Sequence, residues 1–221
     1  MTDAPRALLV YGGWEGHDPE KCADIYGGIL EGHGFAVEVS QTLDVFADPD
    51  RLEGLSLIVP FWTMGTIDEP QLQGLLRAVE GGVGLAGFHG GMGDSFRTYP
   101  EYQFMVGGQF VAHPDDIVEY RVEIAEHDHP ITRGIGDFTI VSEQYYMHVD
   151  PGNRVLATTT FETQGAPWIN GTRMPVMWTR RHGNGRVFYS SLGHSVEDHL
   201  VAEVRALHTR GMVWTSGDGR S

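Results

Sequence analysis

Residues 83–96, VGLAGFHGGMGDSF, constrain this chain more than any other stretch. They begin as a buried strand, with Val83, Leu85, Ala86 and Phe88, and break at glycines. Asp94-Ser95 then reads as a helix N-cap. Within the stretch, Gly87-Phe88-His89-Gly90-Gly91 has the spacing of a nucleophile elbow, the tight strand-to-helix turn that lifts one side chain above a sheet edge. Small residues are needed on either side because the backbone bends sharply and neighbouring chains press close. The centre of such a turn ordinarily carries Ser or Cys; here it carries His89. An elbow needs a sheet beneath it, so the rest of the chain is expected to build that sheet and a pocket around the turn.

The first half supplies the pattern. Residues 6–11 form a short apolar run ended by Gly12-Gly13, as a buried strand does. A loop holding Trp14, Glu15 and His17 leads to Asp18-Pro19, which reads as an N-cap with proline at the first helical position. Cys22, Ile25, Tyr26, Ile29 and Leu30 follow at helical spacing, making one apolar face on which Cys22 is a core thiol. Residues 35–40 alternate as a second strand. Residues 55–61 are apolar on both faces, as in a central parallel strand, and lead to a loop with Trp62, Thr63 and Gly65. Residues 68–71, DEPQ, open a helix as a capping box; Leu72, Leu75, Leu76 and Val79 form its buried stripe, and Gly81-Gly82 stops it. Strand, helix, strand, strand, helix, strand predicts a doubly wound α/β sheet with right-handed crossovers. Such sheets bind ligands outside the carboxyl ends of their strands, where the loops bearing His17, Trp62 and His89 emerge.

The second half reads as antiparallel additions within one domain, residues 1–221. Residues 95–106 suggest a helix interrupted by Pro100. Residues 117–125, 138–146 and 154–160 read as strands, the second carrying Glu143. Residues 174–181 and 186–191 face each other across Gly183-Asn184-Gly185, a hairpin signal. Gly193-His194-Ser195 follows at a strand terminus, Leu200, Val204 and Leu207 mark a last helix, and residues 217–221 read as a frayed tail.

Charge and composition narrow the partners. Fifteen basic against thirty acidic residues give a formal charge of −15, which excludes nucleic acid and anionic membranes as partners. The only lysine, Lys21, sits in an expected helix, so Schiff-base chemistry is discounted. One cysteine excludes an intrachain disulfide framework. No signal peptide or membrane-length apolar run is read, so the expected compartment is the cytoplasm. Exposed aromatic and hairpin content suggests a homo-oligomer.

A family resemblance now emerges from pieces running nearly end to end: residues 12–17 (GGWEGH), 87–91 (GFHGG), Asp94-Ser95, 107–110 (GGQF) with His113-Pro114, 129–132 (HPIT), 143–145 (EQY), 175–178 (PVMW), and 185–189 (GRVFY) through Gly193-His194. In order and spacing they resemble the ThuA-like (trehalose utilisation) family. The resemblance implies a flavodoxin-like three-layer, doubly wound, mostly parallel sheet with added antiparallel strands, as in the class I glutamine amidotransferase superfamily. It also implies a link to carbohydrate metabolism. Amidotransferases of that class are similar in placing an elbow after a central strand and a His followed by an acid near a late strand end; His194 with Glu197 or Asp198 is similar to that pair. With His89 at the elbow and Cys22 elsewhere in the order, glutamine hydrolysis through a thioester is not expected.

The candidate catalytic residues are His89, Glu143 and His194; imidazole is the usual proton carrier near neutral pH, and a carboxylate buried without a partner would be costly. Trp14, His17, Trp62, His113 and Tyr145 are candidate substrate-binding residues, the aromatics stacking on a sugar face. Asp94, His129 and His148 read as an N-cap, a turn residue and a strand-end surface residue. Three readings stay open. One is metal-free acid–base chemistry on a sugar, or on a keto-sugar derivative as the family resemblance implies, of a hydrolase or isomerase kind. Another is a divalent metal, zinc or manganese, held by His89, His194 and a carboxylate. The last is a non-catalytic carbohydrate-binding or regulatory protein on a degenerate enzyme fold.

Overall fold

In the computed structural model, residues 4–217 are described; residues 218–221, most of the expected tail, lie outside them. The main sheet has nine strands: β1 (Arg6–Gly13), β2 (Ala36–Ser40), β3 (Leu55–Thr63), β4 (Gly84–Phe88), β6 (Ile117–Ile124), β7 (Phe138–Glu143), β9 (Arg154–Thr160), β10 (Arg173–His182) and β11 (Gly185–Ser190). A small sheet pairs β5 (Gly108–Ala112) with β8 (Tyr146–Val149). The helices are α1 (Pro19–Gly32), α2 (Pro49–Leu52), α3 (Glu69–Gly81), α4 (Gly90–Gly93), α5 (Pro100–Val106), α6 (Val196–Leu200) and α7 (Ala202–Thr215). Short 3₁₀ turns occur at Glu15–His17, Leu43–Ala47 and Pro167–Ile169.

The main sheet runs β2-β1-β3-β4-β11-β10-β9-β6-β7. From β2 to β11 every pairing is parallel, and beyond β11 every pairing is antiparallel. Counted along the chain, the parallel strands stand in the order 2-1-3-4-5, the flavodoxin-like winding. Alternation along β1 divides the core. Ala7 and Leu9 pack with Tyr26 and Leu30 of α1 and Leu207 of α7, while Leu8 and Val10 pack with Leu72 and Leu75 of α3. The sheet is thus sandwiched between two helical layers, as period-2 burial on both faces requires. No helix among the described residues is long and apolar enough to cross a membrane.

Several elements match the expectations closely. The capping box of α3 is complete: the Asp68 carboxylate accepts from the Gln71 backbone N–H, and the Gln71 side chain accepts from that of Asp68. The hairpin turns at Gly183-Asn184, with His182 opposite Gly185. Other elements differ. Asp18 precedes α1 at φ 47 and makes no side-chain cap bond; its carboxylate takes the Lys21 ammonium at 2.7 Å instead.

Asp94-Ser95 does not cap a helix either. One helical turn, α4, has already formed on the glycines, and Asp94 ends it. The Asp94 carbonyl accepts from Met64 N at 3.0 Å and the Met64 carbonyl from Phe96 N at 3.1 Å, so this segment pairs beside the end of β3. The helix expected over 95–106 therefore waits for Pro100, whose fixed φ suits a first turn. The strand expected over 138–146 breaks at Gln144-Tyr145, and its second part leaves the main sheet to pair with β5. The last helix is two, separated at the extended residue Val201.

Candidate functional site

The site is built at the carboxyl edge of the parallel strands. β4 ends in the elbow, where His89 adopts φ 47, ψ −138, a conformation open to glycine and strained for any other residue. Three bonds hold it there. Its N–H donates to the Ser190 carbonyl at 2.6 Å, and its own carbonyl accepts from Gly93 N at 2.9 Å and from the Tyr189 hydroxyl at 3.0 Å. The flanking glycines are required by proximity: a Cβ on Gly87 would lie 2.5 Å from Met92, and one on Gly90 2.6 Å from the His17 ring.

Four side chains from distant parts of the chain converge above this turn. His17 comes from the 3₁₀ turn after β1, His89 from the elbow, Glu143 from the end of β7, and His194 from the loop after β11. One nitrogen or oxygen from each lies within 4.8 Å of the others. His17 Nδ1 meets the Thr63 hydroxyl at 2.8 Å, so Nε2 is the nitrogen left for a ligand. His89 Nδ1 lies 2.8 Å from the Ser191 carbonyl, which only accepts, so Nδ1 carries the proton. His89 Nε2 then faces Glu143 Oε2 at 3.0 Å. His194 Nδ1 is 3.3 Å from the same oxygen, but out of line; the atom is buried and without a hydrogen-bond partner.

The electrostatics sharpen a conflict. Burial pushes Glu143 up, but the His194 and His89 rings beside it prevail and hold the carboxyl well below the usual range. Burial pulls His89 below its ordinary value, outweighing the opposing bond to Glu143. Burial, with His89 and His194 adding to it, pushes His17 down to about 3. His194 is raised by the Glu143 carboxylate, against desolvation. With its proton on Nδ1, a neutral His89 would present its Nε2 lone pair to the Glu143 carboxylate 3.0 Å away. Two acceptors at that distance repel unless a proton or a cation lies between them.

The other candidates fall into place around this cluster. Trp14 is 47% exposed and meets the His17 ring edge-on at 4.7 Å, at the rim. His113 is half-buried, with Nε2 3.7 Å from Glu143 Oε1 and its ring near-parallel to Phe110. Tyr145 is buried, one ring stacked on His89 at 3.9 Å and flanked by Phe110 at 4.4 Å, so it buttresses His89. Trp62 lies within β3, on the face opposite Thr63, with its ring against Gly12, where a Cβ would come within 2.5 Å. His148 is exposed on β8, and His129 is a buried turn residue whose Nδ1 accepts from Ile131 N. Burial pushes the Cys22 thiol up to about 12, leaving it a core residue.

The late acid resembling that of amidotransferases behaves differently here. Glu197 is exposed, and Asp198 accepts from the backbone N–H of His194 at 2.9 Å. The acid beside the His194 ring is Glu143. Behind the cluster runs a chain that sequence reading missed: the Tyr26 hydroxyl bridges His199 Nδ1 at 2.8 Å and His208 Nδ1 at 2.7 Å, and His208 Nε2 meets the Ser190 hydroxyl at 3.0 Å. Tyr26 carries the helical stripe of α1 and gives no sign of a polar role; only burial of its hydroxyl demands partners.

Comparison with known proteins agrees with this architecture. A ThuA-like protein from Bacteroides uniformis superposes with a TM-score of 0.81 at 19% identity, covering 97% of this chain and 93% of that one. A ThuA-like protein from Parabacteroides merdae gives 0.78 at 20% identity, covering 96% and 90%. The β-galactosidase of Bacillus circulans gives 0.62 at 14% identity, covering 97% of this chain but 31% of that one. These likenesses show the fold. No curated protein matches this chain. The family model described as trehalose utilisation matches residues 6–215, and the chain belongs to this ThuA family.

Proposed function

We propose that this protein is a carbohydrate-processing enzyme acting on a sugar or keto-sugar derivative, with a divalent cation, zinc or manganese, held by His17, His89, Glu143 and His194. The observation that carries this reading is the convergence of one ligand atom each from His17, His89, Glu143 and His194 within 4.8 Å of one another, with His89 Nε2 3.0 Å from a Glu143 oxygen while its Nδ1 is taken by a carbonyl. The orphaned His194 Nδ1 beside the same oxygen supports it. The donor set suits the group: metal ligation needs neutral imidazoles and an ionised carboxylate, the states that burial favours for His17 and His89 and that the histidines favour for Glu143. Ser191 and Thr63 hold the His89 and His17 rings by their second nitrogens, as ligating histidines require.

A bound cation would supply polarisation of a sugar carbonyl or hydroxyl. The protein's own residues do the rest. Trp14 offers an exposed ring for the apolar face of a sugar, and His113 is placed at the rim to move a proton through Nε2. Glutaminase chemistry has no nucleophile here, because the elbow presents His89.

Elemental analysis of the purified full chain tests the reading together with a turnover screen of sugars and keto-sugars. Roughly one equivalent of zinc or manganese is expected, lost in His89→Ala, with turnover abolished in Glu143→Gln. Wild-type protein carrying no more metal than His89→Ala would overturn the cation. Metal-independent turnover that still needs Glu143 would return the site to plain acid–base chemistry.

A further inference from the structure

Glu143 and His194 reach the site by very different routes. His194 follows β11, next to the elbow strand in the sheet. Glu143 closes β7, the edge strand, four places further along the sheet from β11. Nothing in the strand pairing of β7 with β6 sets the distance between the Glu143 carboxylate and the His194 ring.

One oxygen joins the two segments. Asp198 Oδ2 accepts from the Ser142 hydroxyl at 2.5 Å and from the His194 backbone N–H at 2.9 Å. Ser142 immediately precedes Glu143, so the two bonds join the segments bearing both side chains. Asp198 is 7% exposed and Ser142 2%, so water competes weakly for the bonds. Asp198 sits in the first turn of α6, where Ser195 makes no side-chain cap bond; its carboxylate is committed to the clamp. The Tyr120 hydroxyl adds a lateral bond to the Glu143 carbonyl at 3.2 Å, which steadies β7 without touching the His194 loop.

We infer that Asp198 is a positioning residue: through Ser142 and the His194 backbone it fixes the spacing of Glu143 and His194 and so the affinity and geometry of the cation site. The inference rests on the cation reading above. Outer hydrogen bonds of this kind are worth about 10–100-fold in metal affinity when removed.

The test uses the full chain, Zn²⁺ competition against a chromophoric chelator, and the visible spectrum of the Co²⁺-loaded protein. Asp198→Ala and Ser142→Ala are each expected to weaken Zn²⁺ by about 10–100-fold and to shift the Co²⁺ bands. Asp198→Asn keeps an oxygen able to accept both bonds and is expected to stay near wild type in both readouts. Ser142→Ala removes a single hydroxyl, so it carries the test if Asp198→Ala does not fold. Wild-type affinity and spectrum in Ser142→Ala would overturn the clamp and leave the cation reading standing. Asp198→Asn as weak as Asp198→Ala would also overturn it, by making charge the cause. A wild-type protein that binds Zn²⁺ no better than His89→Ala would overturn the cation reading and the clamp with it.

Discussion

His89 shows how much one residue's backbone can carry. At φ 47, ψ −138 any side chain beyond hydrogen is strained by about 1–3 kcal/mol, and the turn is held by its bonds to Ser190, Gly93 and Tyr189. This reverses the usual order of substitutions. Both His89→Ala and His89→Gly lose the Glu143 contact and the stacking on Tyr145, yet the glycine variant is expected to be the more stable, by about 1 kcal/mol in urea unfolding. Alanine at least as stable as glycine would contradict the strain. The elbow was legible because glycine spacing is a local signal. The role of Tyr145 was not: an aromatic beside a glutamate looks the same in sequence whether it meets a sugar or, as here, a histidine ring 3.9 Å away.

At the scale of elements, legibility follows whether the punctuation is local. α3 announces its start through Asp68 and Gln71, and the structure begins it there. The helix expected after Asp94 fails because that segment finds backbone partners at Met64, which no nearby residue reveals. β5 went unread because its register comes from β8, and β8 in turn separates from β7 only where Gln144 turns to bond Thr159 and Thr160. Close packing between elements is equally invisible. Gly74 lies on α3 where a Cβ would fall 1.7 Å from the Phe46 carbonyl oxygen. Helix propensity favours alanine there by about 1 kcal/mol, but overpacking should win. Gly74→Ala is expected to lose about 2 kcal/mol of stability by chemical denaturation; a stabilised variant would show that α3 can shift freely.

Over the whole molecule, the buried chain of His199, Tyr26, His208 and Ser190 ties α1, α6, α7 and β11 together beneath the site. Burial pushes His199 down to about 4 and His208 well below its ordinary value. Unfolded, both titrate near the ordinary histidine value, so in the window below about pH 6.5 the unfolded chain binds more protons than the native one. Stability from these groups is complete above that pH and falls as pH drops towards 4, the folded value of His199, by up to about 1.4 kcal/mol per unit for each group. Urea unfolding in chelator-containing buffers from about pH 7 to about pH 5 checks the sign; a flat profile would mean that these imidazoles do not stay neutral in the fold.

The sequence by itself determined the first four strands of the doubly wound sheet, the elbow and the histidine it presents, because apolar periodicity, caps and glycine spacing act within a few residues; it did not show that β11, read only as half of an antiparallel hairpin, pairs parallel with the elbow strand β4. It also brought His17, His89, Glu143 and His194 into consideration by type. Only the tertiary structure decided that these four converge and that Asp198 grips the chain on both sides of the site. The reason is physical: Glu143 travels in on the edge strand of a nine-stranded sheet, and the meeting of residues 54 positions apart at 3.0 Å depends on packing across that whole sheet.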